Sequence, residues 1–313
     1  MGGGPLGNHG SVVDDSVAEA TLERAWQRGI RYFDTAPHYG LGLSERRMGA
    51  ALAERPRDEF LLSTKVGRLI VANPEPRELD DDGFIVPGDR MRSWDFSLDG
   101  VRRSLDESLD RLGLDAVDIL LAHDPDQAPG DPVREGLAAL ATLRDEGLVR
   151  AIGVGTNSTA GLAELIDEGL IDVLMLANRY SLLDHGALET VLAPAQRAGV
   201  AVVAVGVYAT GLLATPRPDP GATYEYRPAE PAVVERTRRI AEICEGHGVE
   251  LPAAALAFPL LHPAVVGVAV GMRAPREVDE NVDRREIAIP TALWRDLVGE
   301  GLLPAAAVGA AAR

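Results

Sequence analysis

Arg31-Tyr-Phe-Asp-Thr-Ala-Pro-His-Tyr-Gly40 begins as a short apolar strand, which ends at Asp34, and continues as a polar loop that carries Tyr39. Two later apolar strands also end on polar residues, Phe60–Lys65 on a lysine and Val117–His123 on a histidine. In a parallel β/α barrel, the carboxyl ends of the strands form the catalytic face. An acid, a phenol, an amine and an imidazole gathered at that face indicate proton transfer to or from a carbonyl oxygen.

The whole chain alternates short strands rich in Val, Ile and Leu with amphipathic helices. Continuous apolar strands are typical of a parallel sheet with both faces covered, and short links to helices indicate βαβ units. Seven strands can be counted in full, and Met1-Gly-Gly-Gly-Pro-Leu-Gly7 reads as the end of an eighth. We therefore predict an α/β fold, a (β/α)8 TIM barrel whose first strand reads as truncated.

Two connections are long, residues 67–97 after the third strand and residues 206–231 after the seventh. Long ordered loops at this face usually shape a pocket. The alternative is a disordered insertion, which the aromatic residues of both loops disfavour. These residues are Trp94, Phe96, Tyr224 and Tyr226. We predict one barrel domain over residues 1–302 and a disordered tail over 303–313.

The composition limits the classes of partner. The 31 Lys and Arg residues against 48 Asp and Glu give a net charge of −17, so a nucleic-acid partner is not expected. A signal peptide and a membrane-spanning apolar run are both absent from the sequence, and we expect a cytoplasmic protein without a membrane partner. The single cysteine, Cys244, excludes a disulfide framework and a cysteine zinc site. The oligomeric state is left open.

The motifs of the chain resemble the signature of the aldo-keto reductase superfamily. Phe33-Asp-Thr-Ala-Pro-His-Tyr-Gly40, Gly42-Leu-Ser-Glu45 and Ser63-Thr-Lys65 occur in family order and at family spacing, from Pro5 to Leu302. Further stretches are similar to the bacterial L-fucose or D-threo-aldose 1-dehydrogenases and pyridoxal 4-dehydrogenases. These stretches are Trp94-Asp-Phe-Ser97, His123-Asp-Pro-Asp126, Arg179-Tyr-Ser-Leu-Leu-Asp184 and Gly206-Val-Tyr-Ala-Thr-Gly-Leu-Leu213.

The resemblance implies a catalytic tetrad of Asp34, Tyr39, Lys65 and His123. Tyr39 would act as general acid in reduction and general base in oxidation, while a nicotinamide carries the hydride. Lys65 is expected to lower the pKa of the phenol, Asp34 to orient Lys65, and His123 to donate a hydrogen bond to the substrate oxygen. A metal-dependent hydrolase that uses Asp34, His38 and His123 is the alternative, but a His-x-His pair is lacking and we expect no metal.

The resemblance also implies a dinucleotide bound without a Gly-x-Gly-x-x-Gly loop, which this sequence lacks. Asn178 would meet the carboxamide, Tyr180 would stack on the nicotinamide, and Asn157 would serve one position beyond the usual match. Backbone amides beside glycines suit phosphate oxygens. The residues expected at the pyrophosphate are Gly206, Gly211 and Leu212.

The segment Val270–Asn281 bears on the choice of cofactor. Relatives that prefer NADPH carry a lysine and an arginine in this segment, at the positions of Gly271 and Glu277. A carboxylate at Glu277 would repel a 2′-phosphate and could accept hydrogen bonds from a free ribose hydroxyl, so we predict a preference for NAD. The remaining candidates for cofactor contact are Arg273, Arg276, Glu280 and Asn281. Either arginine could bind a phosphate, which keeps NADP as the alternative.

The expected substrate pocket contains His38, Trp94 and Tyr208. Aromatic rings beside polar groups suit a sugar or a pyridine, and the sequence does not choose among aldoses such as L-fucose or D-arabinose, pyridoxal and other carbonyl compounds. The predicted function is NAD(P)-dependent oxidation of an aldose or related hydroxyl. Two alternatives stay open, an NADPH-dependent carbonyl reductase and a cofactor-binding regulatory subunit with little turnover.

Overall fold

The computed structural model describes residues 1–219, 221–225 and 227–309. Its strands are β1 (Tyr32–Asp34), β2 (Leu61–Val66), β3 (Arg68–Arg77), β4 (Gly88–Trp94), β5 (Ile119–His123), β6 (Ala151–Thr156), β7 (Val173–Ala177), β8 (Ala201–Val205), β9 (Thr223–Tyr224), β10 (Arg227–Pro228) and β11 (Val265–Ala269). Its α-helices are α1 (Asp15–Gln27), α2 (Leu43–Leu52), α3 (Leu98–Leu112), α4 (Val133–Asp145), α5 (Leu162–Asp167), α6 (Ala193–Ala198), α7 (Pro231–Gly246), α8 (Leu251–Ala257), α9 (Pro275–Glu286) and α10 (Thr291–Gly299). None of these helices is long and apolar enough to cross a membrane.

Seven strands form the main sheet. Their order is β1, β2, β5, β6, β7, β8 and β11, which is also their order in the chain. Neighbours such as β2 and β5 pair in parallel, as helical crossovers between consecutive strands require. This alternation defines the predicted TIM-barrel class, and the carboxyl ends of the strands are therefore where a site is expected.

The glycine-rich N-terminus takes the place of the missing strand. Gly2 forms parallel bridges to Asp34 at the end of β1 and to Gly271 just after β11. Gly2 N donates to Val270 O at 2.9 Å, and Gly3 N donates to Asp34 O at 2.7 Å. The predicted end of an eighth strand is thus present as two bridges. The hydrogen bond from Gly3 N also fixes the backbone of Asp34.

The first long connection is an ordered antiparallel hairpin of β3 and β4, in which Arg68 pairs with Trp94 and Ile70 with Arg92. At its base Gly67 has φ +99°, and a Cβ there would lie 2.1 Å from the Phe96 ring, so only glycine fits. The second long connection contains the short antiparallel pair β9–β10. Tyr226 lies outside the described residues.

Helix α3 shows how the sequence ends this hairpin. Ser97 is its N-cap, and the side-chain oxygen accepts a hydrogen bond from Gly100 N. Gly113 ends the helix in the left-handed conformation at φ 63°. A serine cap of this kind stabilises a helix by about 1 kcal/mol, and it fixes the point at which the chain leaves β4.

The chain divides into two compact units. The first contains Met1–Thr156, Leu170–Val173 and Val270–Glu280, and the second contains Asn157–Gly169, Leu174–Ala269 and Asn281–Arg313. The core of the first unit includes Phe33, Leu62, Leu120 and Ile152, and that of the second includes Leu174, Val202, Leu256 and Phe258. Burial of each such side chain contributes about 1.5–3 kcal/mol.

The expected disordered tail differs from the structure over residues 303–309. Ala305–Val308 forms a 3-10 turn, and Leu303, Ala307 and Val308 are buried. The apolar side chains gain more by packing than the segment loses in backbone entropy. Residues 310–313 lie outside the described part of the chain.

Candidate active site

The ion pair of Asp34 and Lys65 lies where β1 and β2 end. The parallel register places Asp34 beside Ser63, and Lys65 shares a strand face with Ser63 because the two are two residues apart. Lys65 Nζ donates to Asp34 Oδ1 and Oδ2 at 2.9 and 2.8 Å, and Ser63 Oγ donates to Asp34 Oδ1 at 2.7 Å. Asp34 is 3% and Lys65 2% exposed, so each charge depends on the other for stabilisation.

The Tyr39 phenol adjoins this pair. Lys65 Nζ donates to Tyr39 Oη at 3.1 Å and to Thr35 O at 2.9 Å. The Tyr39 ring packs near Phe84 of the long connection, with centroids 6.2 Å apart. Because the lysine donates to the phenolic oxygen, the hydroxyl proton of Tyr39 can be donated to another acceptor.

The ionisation of Tyr39 differs from the expectation. Burial raises the pKa of the phenol above its ordinary value, and attraction to Lys65 offsets only part of that effect. The predicted lowering is therefore wrong in its net sign, although Lys65 acts in the expected direction. Burial also opposes the charge of Lys65, but Asp34 and Tyr39 together outweigh burial, and the pKa of Lys65 is raised. At neutral pH the lysine is charged and the phenol is protonated.

His123 stands at the end of β5, edge-on to Tyr39 with ring centroids 5.7 Å apart. Its Nδ1 is buried and has no hydrogen-bond partner among the described residues. Burial, followed by the charge of Lys65, lowers the pKa of His123 well below its ordinary value. A neutral imidazole offers one N–H donor and one acceptor. The structure thus brings all four predicted tetrad residues together, with a protonated phenol and a neutral histidine side by side.

His38 is held by an arginine of the hairpin. Arg92 Nε donates to His38 Nδ1 at 2.8 Å, and Arg92 Nη2 donates to His38 O at 2.9 Å. The imidazole of His38 lies 5.3 Å from that of His123, measured between centroids. His38 therefore lies beside the tetrad, where a pocket-wall residue was predicted.

Arg68, on strand β3 of the hairpin, contacts the loop after β5 and the ring of Trp94. Its Nη2 donates to Asp124 Oδ2 at 2.6 Å and to Gln127 Oε1 at 3.1 Å. Its guanidinium covers the ring of Trp94, 4.5 Å from the centroid. Trp94 is still 36% exposed, so one part of its ring anchors the hairpin and another part is open to a ligand.

We expect the protonation of Asp124 to determine how activity changes at acidic pH. Burial raises the pKa of Asp124 to about 6, and Arg68 offsets the rise only in part. An ordinary aspartate ionises at a pKa of about 3.9, whereas Asp124 stays protonated until the pH exceeds about 6. The ion pair with Arg68 is therefore present above pH about 6 and is lost below it. We expect the substrate KM to rise as pH falls through about 6, because the hairpin loses its tie to the strand that carries His123.

Steady-state kinetics across this pH range provide the check. Asp124→Asn should show the raised KM at every pH. Asp126→Asn should shift the midpoint to lower pH, because the Asp126 charge contributes to the raised pKa of Asp124. A KM that is independent of pH in the unsubstituted protein would contradict the prediction.

The second unit contains several of the predicted cofactor residues. Asn178 has φ 61°, and its Oδ1 is buried without a hydrogen-bond partner in the part of the chain described. A Cβ on Gly206 would lie 2.1 Å from that oxygen, so the glycine is needed for the close approach. An orphaned buried acceptor of this kind fits an amide donor from a ligand.

The predicted pyrophosphate loop has an unusual backbone. Ala209, Thr210 and Gly211 all have positive φ, at 48°, 53° and 103°. Such strain in non-glycine residues is typical of functional sites. Apart from its chain neighbours, no atom of the described residues lies within 4 Å of a Cβ built on Gly211, whereas Leu212 is buried. Gly211 thus leaves room for a group that approaches the backbone, and Leu212 supports the loop from its core side.

The position of Tyr180 does not fit its predicted role of stacking on the nicotinamide. The tyrosine is 2% exposed, its ring packs against Phe258 at 5.0 Å, and its hydroxyl donates to Ala307 O at 3.5 Å. An enclosed ring leaves no face for a nicotinamide, so the predicted stacking role does not fit. Asn157, by contrast, is exposed, and its carbonyl accepts a hydrogen bond from Arg179 Nε at 2.7 Å.

Tyr208 and Asn281 are brought together within the second unit. Tyr208 Oη donates to Asn281 Oδ1 at 2.5 Å. The sequence predicted a substrate contact for the tyrosine and a cofactor contact for the asparagine. Because of this hydrogen bond, we place Tyr208 among the candidates for cofactor contact.

The other cofactor candidates lie in the first unit. Glu277 Oε2 accepts a hydrogen bond from Arg273 N at 2.7 Å, so the carboxylate is held at the start of α9. Arg276 is 83% exposed and pairs with Glu280 at 3.3 Å. A Cβ on Gly271 would lie 2.6 Å from Pro5 Cγ, so a longer side chain has no room there unless Pro5 moves.

Sequence reasoning missed the two hairpin arginines. Arg68 directly follows the strand that carries Lys65, and the apolar run Leu69–Val71 after it is a signal that the chain continues as a strand. Arg92 has no comparable signal, because its contact with His38 depends on the register of β3 and β4. Within the described ranges, no group of three or more His, Cys, Asp or Glu side chains is arranged to hold a metal ion.

The fold and this site define an oxidoreductase of the TIM-barrel class. The sequence model of the Aldo/keto reductase family matches residues 1–298, and the chain belongs to that family. It is 44% identical over 307 residues to D-threo-aldose 1-dehydrogenase from Pseudomonas sp, covering 97% of this chain and 93% of the relative. It is 36% identical to pyridoxal 4-dehydrogenase from Microbacterium luteolum, with the same coverage of 97% and 93%. Among solved structures, it resembles an aldo-keto reductase from Bacillus halodurans in its holo form, with TM-score 0.77, 28% identity and coverage of 97% and 91%.

Proposed function

We propose that the protein is an NAD-preferring dehydrogenase that oxidises the hydroxyl of an aldose or a chemically similar alcohol. The observation that carries the proposal is the contact of 3.1 Å between Tyr39 Oη and Lys65 Nζ, within a buried pair of Lys65 and Asp34. This contact stabilises the phenolate form of Tyr39, which is the form that can take a proton from an alcohol. The names of two relatives, an aldose dehydrogenase and a pyridoxal dehydrogenase, support a small hydroxyl- or carbonyl-bearing substrate.

Each tetrad residue has a separate task in this reaction. In its phenolate form, which Lys65 stabilises through its hydrogen bond, Tyr39 accepts the alcohol proton and becomes a neutral phenol. Asp34 keeps the lysine charged and directed at the phenol. His123, being neutral, donates its N–H to the substrate oxygen and holds it beside Tyr39. A bound nicotinamide would supply the hydride acceptor for the substrate carbon.

The residues of this chain fit a dinucleotide. In the second unit, the unpaired Oδ1 of Asn178 suits the carboxamide, and the positive-φ run at Ala209, Thr210 and Gly211 suits phosphate oxygens. In the first unit, two features favour NAD over NADP. Glu277 places a carboxylate at the start of α9, and Gly271 has no room for a lysine beside Pro5.

Fluorescence titration with NADH and NADPH, side by side, tests the cofactor preference. We expect NADH to bind more tightly. Glu277→Gln should narrow the difference by about tenfold, because removal of a like charge relieves repulsion of the 2′-phosphate. Glu286→Gln, an exposed carboxylate at the last residue of the same helix, is the matched control and should have a smaller effect.

The outcomes of this titration separate the alternatives. Tighter binding of NADPH would overturn the preference and favour a carbonyl reductase that uses Arg273 or Arg276. Tight cofactor binding without oxidation of L-fucose, D-arabinose or pyridoxal, and without reduction of aldehydes, would instead favour a regulatory subunit.

A further inference from the structure

Two carboxylates in the connection between β3 and β4, those of Asp80 and Asp82, hold the side chain of Arg92 in place. This side chain is 10% exposed, forms an ion pair with the buried carboxylate of Asp80, and lies 3.4 Å from Asp82 Oδ2 through Nε. Asp80 is in turn held by the hairpin, since its N–H donates to Val86 O at 2.9 Å. The guanidinium therefore has a set position before any ligand binds.

This fixed guanidinium determines the protonation state of His38. Arg92 Nε can only donate, so His38 Nδ1 must accept, and a neutral ring then carries its proton on Nε2. A second guanidinium nitrogen, Arg68 Nη1, lies 3.5 Å from the same Nδ1. The second bond from Arg92, to His38 O, holds the backbone of the residue directly before Tyr39. Both arginines therefore favour the Nε2–H tautomer, and Arg92, with two hydrogen bonds to His38, sets the orientation of the ring.

The remaining nitrogen of His38 is available to a ligand. The side chain is 14% exposed, and its ring is within 5.3 Å of His123 and 5.9 Å of Tyr39, between centroids. Those two residues receive the reacting oxygen under the proposed function. A donor at this separation reaches a group one or two bonds away from the reacting carbon.

We propose that His38 Nε2–H is a specificity determinant that binds the hydroxyl next to the oxidised carbon, and that Arg92 is the positioning residue that presents it. This inference rests on the proposed function and narrows it to substrates with two adjacent oxygens, such as aldoses with a C2 hydroxyl. A site built around a fixed N–H donor rejects an analogue that lacks the acceptor, because the donor is left unpaired.

The charges that face His38 keep it neutral. Burial, then Arg68, Arg92, Lys65 and His9, lower the pKa of His38 to about 2. Asp82 Oδ2, 3.8 Å from Nδ1, is the opposing negative group. His123 and Tyr39 also face the ring, and both are uncharged at neutral pH. Removal of Arg92 would take away the donor at 2.8 Å and allow the Nδ1–H tautomer, which can donate to Asp82, while burial and Arg68 would still keep the ring neutral.

Kinetics with D-arabinose and 2-deoxy-D-ribose, which differ only in the C2 hydroxyl, test the proposal with NAD as cofactor. We expect the unsubstituted protein to prefer D-arabinose by about tenfold or more in kcat/KM. Arg92→Met and His38→Phe should each raise the KM for D-arabinose about tenfold, change kcat little, and leave the KM for 2-deoxy-D-ribose unchanged. His38→Gln, whose amide retains an N–H donor, should restore part of the discrimination.

Nitrogen NMR of the His38 ring gives a readout that does not depend on turnover. We expect the Nε2–H tautomer down to the lowest pH at which the protein is folded, and a larger share of the Nδ1–H tautomer in Arg92→Met. Arg90→Met is the matched control, because Arg90 is exposed on the same strand. Thermal unfolding of each variant shows whether it has folded.

Unchanged discrimination in folded Arg92→Met and His38→Phe would overturn this inference alone, as would an Nδ1–H tautomer in the unsubstituted protein. Absence of oxidation of any aldose by the unsubstituted protein, despite cofactor binding, would overturn the proposed function and this inference with it.

Discussion

Tyr39→Phe is expected to lower kcat/KM for alcohol oxidation by about a thousandfold. The substitution keeps the ring that packs near Phe84 and removes only the oxygen that lies 3.1 Å from Lys65 Nζ. Without that oxygen the reaction loses the group proposed as its general base, and positioned general acid–base catalysis typically contributes about 10²- to 10⁴-fold. Steady-state kinetics with NAD and an aldose provide the measurement.

The loss should appear in turnover and not in cofactor binding. NADH titration of Tyr39→Phe should give a dissociation constant close to that of the unsubstituted protein. Tyr224→Phe, which removes a half-buried phenol on β9, is the control and should retain activity within a few-fold. Substantial turnover by Tyr39→Phe would show that another group carries the proton, and the assignment of Tyr39 as acid and base would then be wrong.

The tetrad could be predicted from sequence because it depends on two things that a sequence displays. One is the type of residue at the end of an apolar strand, and the other is the parallel order of strands that alternate with helices. Asp34 and His123 end β1 and β5, and Lys65 is the last residue but one of β2, so their convergence at the carboxyl ends of three neighbouring strands follows from the topology. The parallel register aligns Asp34 with Ser63, and Lys65 lies on the same face of its strand as Ser63. The lysine therefore lies on the same side of the sheet as the Asp34 carboxylate.

What the sequence could not supply depends on tertiary packing. The hairpin register that places Arg92 against His38 follows from pairing over a long connection without an internal repeat. The burial of Tyr180 depends on Phe258 and Ala307, which are distant in sequence. The net sign of the pKa shift of Tyr39 is a contest between desolvation and Lys65, and only the extent of burial decides it.

Lys65→Met is expected to destabilise the fold by about 3–5 kcal/mol, beyond its effect on catalysis. The variant leaves the Asp34 carboxylate buried with Ser63 Oγ as its remaining side-chain donor, and removal of one partner from a buried pair typically costs that amount. The pKa of Lys65 is raised in the folded chain, so the contribution of its charge is present below the ordinary pKa of about 10.4. It is lost only as the pH rises through the folded value.

Urea unfolding of Lys65→Met, Asp34→Asn and the double variant measures this coupling. If the cost comes from an unpaired buried charge, the double variant should be more stable than Lys65→Met, because neither site then holds a charge without a partner. Lys65→Met and the double variant should lack measurable oxidation, since the phenolate of Tyr39 has lost its cation, and Asp34→Asn should lower oxidation because the carboxylate that holds Lys65 is gone. A double variant whose destabilisation equals the sum of the two single losses would contradict the argument, because it would mean that Asp34 and Lys65 stabilise the barrel independently.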